Sequence, residues 1–69
     1  MKRYRVVTEL WINIPAWATH SAIDKNGAEH VYDAAPTLKD YDWIPSGQVQ
    51  FIFQHQPIQD WRESLKQIN

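Results

Sequence analysis

The chain contains no cysteine, only two glycines and one methionine, and no apolar run long enough to cross a bilayer. Without cysteine there is no disulfide staple, no thiolate zinc site, no CxxC redox chemistry and no cysteine nucleophile. A charge excess is missing as well. Seven Lys and Arg against eight Asp and Glu leave a formal net charge of −1, so nothing draws the whole molecule to phosphates or anionic lipids, and it lacks the acidity of a DNA mimic. The opening residues have no apolar core of signal-peptide type, because Thr8, Glu9 and Asn13 interrupt it. These absences lead to the expectation of a soluble protein in the cytoplasm, without membrane contact. There is no repeat, low-complexity tract or Gly/Ser linker, and 69 residues form one expected domain, residues 1–69.

A chain this short buries only about 60% of the surface its unfolded form exposes. Its core must therefore be dense in large side chains, and four Trp, three Tyr and two Phe supply them. Residues 3–14 alternate cleanly: Tyr4, Val6, Thr8, Leu10, Ile12 and Ile14 on one face, Arg3, Arg5, Val7, Glu9, Trp11 and Asn13 on the other. The alternation and the β-branched content predict one long strand ended by Pro15. Val7 and Trp11 fall on its polar face, where they are either covered by another element or free to meet a partner.

Residues 17–32, WATHSAIDKNGAEHVY, carry the strongest hairpin signal, Asn26-Gly27 between two strand-forming runs. Two registers compete. A two-residue turn at Asn26-Gly27 opposes Ile23 with His30 and groups Trp17, Ile23, Ala28 and Tyr32, at the cost of setting Asp24 against Glu29. A type I turn over Lys25-Asn26 with Gly27 in a bulge uses Asp24 at its preferred position but places Ile23 and Tyr32 on opposite faces. Burying a large side chain is worth roughly 1.5–3 kcal/mol, more than a like-charge pair costs, which favours the first register.

Periodicity vanishes over residues 33–47, predicting a long loop. Leu38, Tyr41, Trp43 and Ile44 are its possible anchors, and Asp40 and Asp42 flank Tyr41 and Trp43 in a composition suited to protein recognition. The run QVQFIFQH then alternates again, predicting a central strand antiparallel to the first. Asp60 with Glu63 resembles a capping box, and Trp61, Leu65 and Ile68 fall at helical spacing, predicting a C-terminal helix of about two turns. The expected fold class is α+β: a twisted antiparallel sheet of about four strands, in the order β-β-β-loop-β-α, with the helix packed on one face. A curved half-barrel is the alternative.

No catalytic or cofactor constellation emerges. His20, His30 and His55 with Asp24, Glu29 and Asp33 do not offer three or four ligands converging on one point. His20 and Ser21 are neighbours on a predicted strand and so point to opposite faces. The expectation is a non-catalytic protein with no metal and no cofactor.

The run PAWATHSAIDKNGAEHVYDAAP, with Trp43 and the DWRESL of residues 60–65, resembles small uncharacterised proteins of tailed phages and prophages. The likeness covers residues 15–69. It implies an accessory protein in an infected bacterium that binds and modulates a host protein, and it carries over no catalytic residue. Candidate partner-binding residues are Tyr41, Trp43, Asp40, Asp42, Val7 and Trp11. The alternative is single-stranded nucleic-acid binding by Arg3, Arg5 and Trp11 with Arg62 and Lys66 of the final helix, by phosphate contacts and stacking. A homodimer through the first strand is a further possibility.

Overall fold

The computed structural model describes residues 1–68 and is nearly all β. The strands are β1 (Lys2–Val7), β2 (Leu10–Ile14), β3 (His20–Ile23), β4 (Ala28–Tyr32), β5 (Thr37–Lys39), β6 (Asp42–Ile44), β7 (Val49–Gln54) and β8 (Lys66–Gln67). One 3-10 turn, Trp61–Glu63, precedes β8. A four-stranded antiparallel sheet in the order β7-β4-β3-β8 is flanked by two hairpins, β1-β2 and β5-β6. The expected α+β architecture with a packed C-terminal helix is therefore incorrect.

The expected single first strand is a hairpin that turns at Thr8-Glu9, with Glu9 at φ 67°. Alternation conceals this turn for a geometric reason. Val7 pairs with Leu10, which would set odd residues against even ones. A bulge between Arg5 and Val7 then shifts the register so that Tyr4 opposes Ile12 and Arg5 opposes Trp11. Tyr4 and Val6 on one strand and Ile12 and Ile14 on the other thus face the core, and the period of two reads straight through.

In the second hairpin Ala22 opposes His30 and Ile23 opposes Glu29, so the favoured register gives way to the bulged one. The Gly27 N–H donates to Asp24 C=O at 2.9 Å, and the Asp24 N–H donates to Ala28 C=O at 2.9 Å. Gly27 sits at φ 91°, where an added Cβ would collide with the His55 carbonyl. Placing Ile23 and Tyr32 on opposite faces carries no penalty here because both faces of the sheet are covered.

The covering defines two cores. On one face Val31 packs with Tyr4 and Ile14 of the β1-β2 hairpin and with Ala18, joined by Val6, Ile12, Trp17, Ile52 and Ile68. On the other, Ala22 and Tyr32 pack with Trp43 and Trp61, joined by Leu65. Adjacent residues Val31 and Tyr32 thus serve opposite cores, as a strand's alternation requires.

The expected loop folds instead as the β5-β6 hairpin, turning at Asp40-Tyr41 with Asp40 at φ 32°. β7 is an edge strand paired with β4, not a central strand beside the first. The expected helix reduces to one 3-10 turn: Asp60 makes no side-chain cap bond, and the Ser64 hydroxyl instead engages Ile23, accepting from its N–H at 2.8 Å. The chain beyond joins the sheet, Ile68 N–H donating to Thr19 C=O at 2.7 Å. Two turns of isolated helix gain less than an added strand with its backbone bonds satisfied.

Candidate functional site

The outward face of the β1-β2 hairpin gathers the basic and aromatic residues singled out at the N-terminus. Arg5 pairs across the hairpin with Trp11, and Arg3 with Asn13. The Arg3 and Arg5 guanidinium carbons lie 5.3 Å and 5.9 Å from the centroid of the Trp11 ring. Both distances fall within cation–π range. Trp11 is nevertheless 49% exposed, and Val7 and Leu10, paired beside the turn, are exposed with it. Buried Tyr4 and the half-buried Val6 and Ile12 on the opposite side fix the hairpin to the sheet. The fold thus presents an indole beside two cations on an anchored support.

The second group of expected partner residues is divided. Tyr41, at the β5-β6 turn, is 60% exposed, with the Lys25 ammonium 4.3 Å from its ring centroid. Trp43 belongs to the core at 7% exposure, its indole N–H donating to Ile23 C=O at 3.1 Å and Trp61 C=O at 3.4 Å. It is therefore not free to meet a partner. The Asp40 carbonyl accepts from Arg62 at 3.3 Å. Asp42 lines two shallow cavities. One, of about 350 Å³, lies against Lys25, Asn26 and Tyr41. The other, of about 280 Å³, is bounded by Asp24, His30, Tyr32 and Trp43 among others.

The C-terminal cations do not join Arg3 and Arg5. Arg62 stacks on Trp61, 4.6 Å from its centroid, and Lys66 lies 4.9 Å from the centroid of Tyr4. The five-residue basic and aromatic surface expected for nucleic acid reduces to three residues in contact, Arg3, Arg5 and Trp11.

Sequence reasoning missed a buried polar chain between β1 and the sheet. The Tyr4 hydroxyl donates to Glu29 Oε2 at 2.7 Å and lies 3.1 Å from Ser21 Oγ, and His55 Nε2 lies 2.5 Å from Glu29 Oε1. Glu29 is 2% exposed. The bulged register creates this chain by turning Ser21 and Glu29 inward with Val31, and the only signal in the sequence was the cost of the competing register. Burial raises the Tyr4 pKa, against the hydrogen bonds of Lys66 and Ser21 and with the help of Glu29. Tyr32 is also raised, first by burial and then by the charges of Asp24 and Asp42. Asp24 accepts the Trp43 N–H at 3.0 Å and lies 3.6 Å from His30 Nδ1.

The Ser21 hydroxyl meets Tyr4, while His20 Nδ1 meets the Thr19 hydroxyl at 2.9 Å, so the two neighbours serve different contacts. Among the described residues no three His, Asp or Glu side chains are placed to hold a metal ion, and no helix is long and apolar enough to cross a membrane. No family model, curated protein or solved structure matches this chain.

Proposed function

We propose that this chain is a non-catalytic binding module that docks a protein partner on the outer face of the β1-β2 hairpin. The carrying observation is Trp11, half-exposed within cation–π distance of Arg3 and Arg5, on a hairpin that also exposes Val7 and Leu10. Trp and Arg are the residue types that most often dominate protein interfaces, and an indole already held by its neighbours loses little entropy when a partner covers it. The partner that fits supplies an apolar pocket for the indole and carboxylates for the two guanidinium groups. With the resemblance to tailed-phage and prophage proteins, the reading is an accessory protein that modulates a host protein in the bacterial cytoplasm.

Affinity capture from a bacterial lysate with the intact chain and with Val7→Asp plus Trp11→Asp tests this. A host protein retained by the first and lost by the second, while circular dichroism shows the β structure unchanged, is the expected result. Retention that survives the double substitution overturns the assignment of the surface.

A second reading rests on the same three residues. An indole flanked by two guanidinium groups also suits a nucleobase stacked beside two phosphates, as in single-stranded nucleic-acid binding. Neutralising two phosphates gives a log–log salt slope of about −1.4 on a single strand. An oligonucleotide not retained at low salt removes this reading.

A further inference from the structure

We infer that two copies of this chain associate by antiparallel pairing of β7 with β7, extending the four-stranded sheet across a two-fold axis at Gln50. This goes beyond the binding reading and uses a different edge of the molecule.

The backbone argument comes first. Among the described residues, β7 has β4 as its only strand partner. In the ladder between them Asp33 N–H donates to Gln48 C=O at 3.2 Å, and Val31 opposes Gln50 while Tyr32 opposes Val49 and His30 opposes Phe51. Hydrogen-bonded pairs alternate with non-hydrogen-bonded ones in an antiparallel ladder. Gln48 and Gln50 therefore direct their N–H and C=O towards β4, and Val49 and Phe51 direct theirs to the open side. Their side chains are 43% and 53% exposed, so apolar surface and unpaired backbone groups occur at the same two residues.

The sequence of this edge leaves it unprotected against its own copy. Natural edge strands exclude one another with charges, prolines or outward bulges. From Gly47 to Gln54, GQVQFIFQ, there is no charge and no proline. The register shift adds one residue to β7 itself, Ile52 between Phe51 and Phe53, and this bulge bounds the available edge just beyond the two outward-facing residues. A two-fold axis at Gln50 sets Val49 against Phe51 of the second copy, and Phe51 against its Val49. Both become hydrogen-bonded pairs, and Val–Phe contacts form on the face that already holds His30 and Tyr32, with the His30 and Phe51 rings 5.7 Å apart. Gln50 meets Gln50 of the second copy on the opposite face, so no like charges oppose.

Other edges fit a second copy less well. β8 is two residues long and contains Lys66, and β1 carries Lys2, Arg3 and Arg5. β2, part of the expected first strand, is uncharged, but Trp11 lies beneath Arg3 and Arg5. Pairing two copies there would bring two cationic faces side by side. An isologous contact at β7 closes after two subunits and does not propagate.

Sedimentation equilibrium across a concentration series provides the test. The intact chain is expected to move from one 8.2 kDa subunit towards twice that mass as concentration rises. Gln50 is exposed, and its replacement leaves both cores untouched. Gln50→Lys and Gln50→Glu each set like charges across the axis and are expected to raise the dissociation constant at least tenfold, whereas an equimolar mixture of the two restores the dimer as a heterodimer. Amide exchange gives an independent readout: the Val49 and Phe51 amides should become protected as concentration rises, while the Gln50 amide is protected throughout. A monomer mass at millimolar concentration overturns the inference. So does a dimer indifferent to both Gln50 substitutions, or one whose mixture gives no recovery.

Discussion

At the scale of single residues, Glu29 makes the largest demand on its surroundings. A carboxylate 2% exposed must have its oxygens satisfied, because burying an unpaired charge costs far more than a neutral hydrogen bond returns. Tyr4 supplies a donor to one oxygen and His55 faces the other. The Tyr4 hydroxyl also ties the β1-β2 hairpin to the central sheet. Tyr4→Phe keeps the ring and its packing but leaves Glu29 Oε2 without that donor. The expected loss is about 1–3 kcal/mol in urea unfolding. Ser21→Ala removes only the 3.1 Å contact to the same hydroxyl and should cost less. Equal losses from the two would show that the carboxylate does not depend on the phenol.

At the scale of elements, the residues legible in the sequence were those whose alternation survives folding. The Tyr4, Ile12 and Ile14 face of the first hairpin was readable, and so was the separation of Arg3, Arg5 and Trp11 from it, because the bulge near Val6 preserves the parity of the pattern. The turn itself was hidden by the same bulge. The register of the second hairpin could not be decided locally: burying Ile23 with Tyr32 matters only if the sheet has one covered face, and this sheet has two. The β5 and β6 strands are three residues each, too short to establish a period. The basic-aromatic site was thus legible as a set of residue types on one strand face, whereas the burial of Trp43 depended on a hairpin that the sequence did not reveal. Trp43 and Trp11 were paired as partner-binding residues, and their environments now predict opposite behaviour. Trp43→Phe removes the indole N–H shared between Ile23 C=O and Trp61 C=O, and should lower stability by about 1–3 kcal/mol. Trp11→Phe, on an exposed face, should change stability by no more than about 0.5 kcal/mol. Denaturant midpoints of the two variants decide this, and a midpoint for Trp11→Phe as low as that for Trp43→Phe would contradict the placement of the two indoles.

At the scale of the whole molecule, a single sheet lies between two cores. Tyr4 belongs to one core and Tyr32 to the other, and burial raises both phenol pKa values. A phenol ionises near pH 10 in an unfolded chain. Above that pH the unfolded state has released protons that the native state retains, so native stability falls as pH rises. Each such tyrosine contributes a slope of up to about 1.4 kcal/mol per pH unit between its unfolded and folded pKa values, or about 2.7 kcal/mol for the two together. A chain of this length has about 3–10 kcal/mol of total stability, so a slope of this size removes a substantial part of it above pH 10. Ionisation of the buried phenols is therefore expected to accompany loss of the fold under alkali. In a Tyr41→Phe variant, which leaves the two buried phenols as the only ones, phenolate absorbance and the loss of β-sheet circular dichroism should rise together in one transition above pH 10. Because the central sheet is common to both cores, Tyr4→Phe should move that single transition without splitting it. Two separate absorbance steps, the first with the β signal intact, would mean that one core opens while the sheet survives.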